Sequence, residues 1–154
     1  MQIVAAELID LPGIIEILSE TTGTLWSGES ISKQKLMEYI LVQKHLCFVV
    51  KEQDIVIGVS FITSLGRVSR HLEGVMQCEF AVHRSHQGKG IGTALVQHAV
   101  EFCKRNMAHK IILYVTANNL RAIHIYLKAG FKFESVDRQG YDGQDQYIMS
   151  ILEG

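Results

Sequence analysis

Proline is almost absent from this sequence: Pro12 stands alone in 154 residues. No stretch rich in proline, glycine or serine interrupts the chain, so nothing marks a linker, and 1–154 is read as a single domain. Cysteine is scarce and odd in number. Cys47, Cys78 and Cys103 each lie in an apolar stretch, without the C-x-x-C spacing of a zinc or redox motif or the even count of a disulfide framework. His83 and His86 stand three apart, but no nearby cysteine or further histidine completes a ligand set, and no metal is expected. An excess of charge is missing as well: 15 lysines and arginines face 16 aspartates and glutamates, a net charge of -1. Such a balance leaves no global field to draw the protein to nucleic acid or an anionic membrane, and neither partner is expected. Long apolar runs are lacking, and the first residues have no basic segment ahead of an apolar one, as a signal peptide would; a cytoplasmic location is expected.

What is present is a chain 47% hydrophobic, enough to bury a core at this length. Residues 2–7 alternate as a short strand. Asp10 is placed to cap a helix that accepts Pro12 in its first turn and stops before Gly23, at about residues 11–22. Leu36, Met37, Ile40 and Leu41 recur with helical spacing and predict a second helix near 32–43. The apolar runs 47–50 and 56–62, parted by Glu52, Gln53 and Asp54, predict an antiparallel hairpin. Beyond a polar loop, Val75–Val82 reads as a central strand, and Leu95, Ala99, Phe102 and Cys103 form one stripe of a long helix over 93–107. The dense run 111–115 suits a buried parallel strand, so 75–115 reads as a β-loop-α-β unit. A helix opening at Asn118 and Asn119 and ending at Gly130 precedes two strands, near 131–138 and 145–152, with Gly140 and Gly143 in the turn between them.

The segment Gln87, Gly88, Lys89, Gly90, Ile91, Gly92, Thr93 joins the central strand to the long helix. At that end several backbone N–H groups have no helical acceptor, and glycines let a phosphate approach closely. The same glycines also suit a tight turn with no ligand, and the spacing alone leaves both readings open. A dinucleotide fingerprint starting at Gly88 would need glycine at Thr93, and no G-x-x-x-x-G-K-[ST] occurs, which disfavours hydride transfer and nucleotide hydrolysis.

Gln87, Gly90 and Gly92 resemble the Q/R-x-x-G-x-G/A pyrophosphate loop of the GNAT acetyltransferases. Downstream, Asn119, Ala122, Tyr126, Gly130 and Phe131 are similar to that family's N-x-x-A-x-x-x-Y-x-x-x-G-F segment. The resemblance implies a GNAT fold of the α/β (α+β) class: a mixed central sheet of about seven strands, splayed between the fourth and fifth, flanked by about four helices. It implies an acetyl-CoA-dependent N-acetyltransferase that moves the acetyl group to a primary amine, on a small molecule or a protein, by direct attack on the thioester. Acetyl-CoA would be held by Gln87, Gly88, Lys89, Gly90, Ile91, Gly92 and Thr93, with Asn119, Ala122 and Tyr126 along its arm. The last three fall at i, i+3 and i+7, on one face of a helix.

An amine with a pKa near ~10.4 is an ammonium at neutral pH and must lose a proton before attack. Glu79 interrupts an apolar strand at a position that resembles the glutamate base of several family members; a purely structural carboxylate is its other reading. His83 is the second candidate base. The Val82 N–H is the oxyanion donor by resemblance, and Tyr126 the acid that protonates the departing thiolate. The acceptor would lie near Trp26, Ser27 and Glu29 and the hairpin residues Asp137, Arg138, Tyr141, Asp142 and Asp145, whose other reading is a set of solvated charges. The main rival to an enzyme is a non-catalytic acyl-CoA-binding or sensor module of the same fold. Exposed strand edges allow a monomer or a homodimer.

Overall fold

The computed structural model describes residues 1–21, 33–42, 46–67, 70–141 and 143–153. Along them run β1 (Ile3–Ala5), α1 (Leu11–Thr21), α2 (Lys33–Val42), β2 (Cys47–Glu52), β3 (Ile55–Ser64), β4 (Val75–Val82), α3 (Ile91–Arg105), β5 (Lys110–Thr116), α4 (Leu120–Lys128), β6 (Lys132–Tyr141) and β7 (Gln144–Leu152). The strands form one sheet in the order β1-β2-β3-β4-β5-β7-β6. It is mixed: β4 and β5 are parallel, in register from Val75↔Lys110 to Gln77↔Ile112, while β1–β2, β2–β3, β5–β7 and β6–β7 are antiparallel. Fold class and element order are those expected. None of the described helices is long and apolar enough to cross a membrane.

The chain forms two compact units, Met1–Ile62 with Glu79–Leu95, and Thr63–Cys78 with Val96–Gly154. In the first, Leu11, Ile14, Ile17 and Leu18 give α1 one apolar face, buried with Leu36 and Ile40 of α2 against Val49, Val59, Phe61 and Ala81. Each such side chain contributes roughly 1.5–3 kcal/mol. The β2–β3 hairpin turns on two residues, Gln53 and Asp54, with φ of 51° and 67°, as a type I′ turn requires. Asp10 corrects the sequence expectation. It ends a 3-10 turn, Leu8–Asp10, and its carboxylate points back, accepting from the Glu7 N–H at 2.9 Å and meeting Lys51 Nζ at 3.0 Å. That pairing raises the Lys51 ammonium above its usual pKa.

In the second unit β5 pairs along its whole length with β7, which pairs in turn with β6. The β6–β7 turn is tighter than expected. The strands run to Tyr141↔Gln144, which places Gly140 inside β6 at an irregularity in the register. The C-terminus of α4 closes through two reciprocal bonds, Phe131 N–H to the Tyr126 carbonyl at 3.0 Å and Gly130 N–H to the Leu127 carbonyl at 3.1 Å. Gly130 makes that reversal at φ 105°, a conformation closed to most side chains.

Candidate active site

Where α3 begins is decided by two buried side chains. Ile91 (3% exposed) and Leu95 (0%) pack with Val50 and Ile57, and half-buried Phe80 and Val82 lie against them. Gly58 of β3 makes room for them: a Cβ there would stand 3.0 Å from Ile91 Cγ2 and 3.1 Å from Leu95 Cδ1. Nothing in the sequence spacing singled out Gly58, because its neighbours come from a helix far downstream.

The loop before α3 is tied at both ends. The His83 N–H donates to the Ile57 carbonyl at 2.8 Å, a 3-10 turn covers Arg84–His86, and Gln87 Nε2 donates to the Val82 carbonyl at 3.2 Å. Gly88 and Gly90 then take φ of 77° and 85°. A Cβ on either would meet nothing within 4 Å, so glycine is required there by the backbone, and the space beside it is open. The bond from Ala94 N–H to the Gly90 carbonyl, 3.0 Å, opens the helix. The N–H groups of Ile91, Gly92 and Thr93 precede it and are of the kind that binds phosphate. The expected helix start at 93 is thereby corrected: burial of Ile91 moves it to 91, and Gly92 and Thr93 belong to the first turn instead of the loop. Lys89 is exposed.

Glu79 is half-buried on β4 between buried Cys78 and half-buried Phe80. Burial raises its carboxyl from 4.5 to about 7, which makes its ionised form a proton acceptor of useful strength near neutrality. His83, the second candidate base, sits in a surface network. Its Nδ1 is 2.7 Å from Ser85 Oγ, which is 2.8 Å from His86 Nδ1, and its Nε2 is 3.5 Å from both Glu16 Oε1 and Glu20 Oε2 of α1. Glu16, Glu20 and His83 present donor atoms within 4.8 Å of one another and could hold a metal ion. The sequence reading considered only a nearby cysteine or further histidine beside His83; this set is made with carboxylates instead. Its carboxylates come from far upstream, where no local spacing could reveal them.

In the second unit Asn119 caps α4, its Oδ1 accepting from the Ala122 N–H at 3.3 Å. Tyr126 is buried, with its ring centroid 6.0 Å from that of Phe131, edge to face. Arg121, His124 and Lys128 are exposed, as their face of the helix requires. Among the acceptor candidates, Trp26, Ser27, Glu29, Asp142 and the Tyr141 side chain lie outside the described residues. Asp137, Arg138 and Asp145 are exposed, and Asp145 spends a carboxylate oxygen on the Gln139 N–H at 2.9 Å.

A model of the acetyltransferase (GNAT) family matches residues 11–131, a stretch that includes both the glycine loop and the Asn119 to Phe131 segment. The chain belongs to this family. Relatives in sequence include a streptothricin acetyltransferase of Streptomyces lavendulae, 40% identical over 65 residues, which are 42% of this chain and 34% of that protein. An N-alpha-acetyltransferase of Sulfurisphaera tokodaii is 40% identical over 72 residues, 46% of this chain and 43% of that one. The matches thus span less than half the length of these relatives. A GNAT phosphinothricin acetyltransferase from Sinorhizobium meliloti, solved in complex with acetyl-CoA, superposes with a TM-score of 0.86 over 99% of this chain and 88% of its own; at 19% identity the likeness is one of fold.

Proposed function

We propose that this protein is a cytoplasmic N-acetyltransferase, one acetyltransferase domain that moves the acetyl group of acetyl-CoA to a primary amine. The observation that carries this reading is the start of α3, where Gly88 and Gly90 turn at positive φ beside open space and release the N–H groups of 91–93 to an anion. The family match running through both units supports reading the chain as one domain.

Acetyl-CoA supplies an acyl group activated as a thioester. The chain's own residues then divide the work. The N–H groups of Ile91, Gly92 and Thr93, with Gly88, Lys89 and Gly90 around them, bind the pyrophosphate; Gln87 holds the loop to the strand end. Asn119 and Ala122 order the first turn of α4 along the cofactor arm. Glu79 takes the proton that the ammonium must lose, and the Val82 N–H donates to the oxygen that gains charge as the C–N bond forms and the C–S bond breaks. Tyr126 returns a proton from its hydroxyl to the thiolate. The relatives are named for streptothricin and for alpha-amines, so acceptors of both kinds belong in the test.

Thermal stability is measured against acetyl-CoA, and thiol release is then followed with a panel of diamines, amino-sugar and lysine-bearing antibiotics, and peptides with free N-termini. Stabilisation together with thiol release on one class is the expected result. Stabilisation with no reactive amine would favour the acyl-CoA sensor, and no stabilisation at all would overturn the assignment of the glycine loop.

A further inference from the structure

Cys78 of β4 and Cys103 of α3 both belong to the second unit, and their Sγ atoms lie 3.9 Å apart. The proposed reaction uses neither. At that separation the sulfurs touch and no other atom fits between them. A disulfide of ~2.05 Å needs a further approach of about 1.9 Å. Both residues are buried, 1% and 0% exposed, which bars bulky reagents. Cys47 lies in the other unit; burial first, and the nearby Asp10 charge second, push it up to about 12, far from the thiolate form that reacts.

We propose that Cys78 and Cys103 form a modification site that hydrogen peroxide, the smallest hydroperoxide, converts to an intramolecular disulfide. The thiolate of one cysteine attacks a peroxide oxygen; an S–O bond forms, the O–O bond breaks, and the departing hydroxide takes a proton to become water. The second thiol, already in contact, attacks the sulfenic sulfur; the S–S bond forms, the S–O bond breaks, and a second water leaves with the remaining proton. Two thiols are oxidised and one hydroperoxide is reduced by two electrons. A partner thiol at contact distance intercepts the sulfenic acid before further oxygen is added. The new bond fastens the strand residue that directly precedes Glu79 to the helix that starts at the glycine loop.

The test takes the reduced full-length chain, treats it with hydrogen peroxide, and reads intact mass and a non-reducing peptide map. Expected are the loss of two hydrogens, a cross-linked peptide joining residues 78 and 103, and full reversal by dithiothreitol. Cys47→Ala should behave as the parent, Cys103→Ala should add oxygen instead of cross-linking, and a bulky aromatic disulfide should leave the native thiols unreacted. Oxygen addition to the parent without the 78–103 peptide, a cross-link through Cys47 or between chains, or an unchanged mass after prolonged exposure would each overturn the assignment. The map of the parent alone decides, whether or not the variants fold.

Discussion

Replacing Glu79 by glutamine keeps the shape of the side chain and removes its charge, so it acts on stability and on rate with opposite signs. Burial raises the folded-state pKa from 4.5 to about 7. At about 1.4 kcal/mol per unit, holding the ionised carboxylate in the folded chain costs about 3 kcal/mol. The folded protein binds this proton more tightly than the unfolded chain, so the contribution to stability is complete below the unfolded pKa and is lost as pH rises through about 7. Glu79→Gln should therefore match the parent near pH 4 and exceed it by up to about 3 kcal/mol at pH 8, roughly 6–12 °C in Tm for a domain of this size. The rate moves the other way. With a pKa of about 7 the ionised fraction of Glu79 rises from roughly a tenth at pH 6 to nine tenths at pH 8, and the parent's kcat/KM should climb about tenfold beyond the acceptor amine's own deprotonation. The variant should follow the amine alone, from a lower level. Urea unfolding and thiol release at pH 5, 6, 7 and 8 measure both. A stability difference that stays constant over that range would refute desolvation of Glu79, and pH-rate profiles of identical shape would remove it from proton transfer.

Three further substitutions probe the rest of the site. Gly90→Asp sets a negative charge beside the phosphate position and forces a side chain onto φ 85°, at roughly 1–2 kcal/mol of strain; calorimetry should detect no acetyl-CoA binding, and unchanged affinity would exclude the loop as the phosphate site. Tyr126→Phe keeps the ring against Phe131 and removes only the hydroxyl, so turnover should fall with acetyl-CoA affinity held, and an unchanged rate with chemistry limiting would deny it the acid role. Gly58→Ala brings a Cβ to 3.0 Å from Ile91 and should destabilise the fold by about 1–3 kcal/mol while weakening acetyl-CoA; denaturation and binding curves identical to the parent would show that α3 does not depend on that contact.

Local spacing was enough for most elements, because they carry their own period or their own stop: Leu36, Met37, Ile40 and Leu41 for α2, Asn119 and Gly130 for the ends of α4, Gln53 and Asp54 for the hairpin turn. The departures at Asp10, Ile91 and His83 each involve contacts with distant segments. Asp10 turns away from α1 because Lys51 and the Glu7 N–H compete for its carboxylate. α3 starts at Ile91 because that side chain finds Val50, Ile57 and the bare Gly58. The carboxylates around His83 belong to α1, and no pattern near residue 83 announces them.

The two motifs that made the family legible are, in large part, solutions to backbone problems. Asn119 caps a helix, Gly130 reverses its end, and Phe131 is buried against Tyr126; Gly88 and Gly90 supply left-handed turns. Any member that folds this way and binds an acyl-CoA has use for these residues, whether or not it transfers the acyl group, so the motifs cannot separate an enzyme from a sensor. Glu79 can. Its half-buried carboxyl, raised to about 7 by burial, makes the ionised form costly to stability above neutral pH, and binding a thioester requires no such group. Glutamine at that position would serve a sensor better at every pH above 5, whereas in the proposed reaction the ionisable oxygen accepts the ammonium proton, and it is this difference that favours the enzyme.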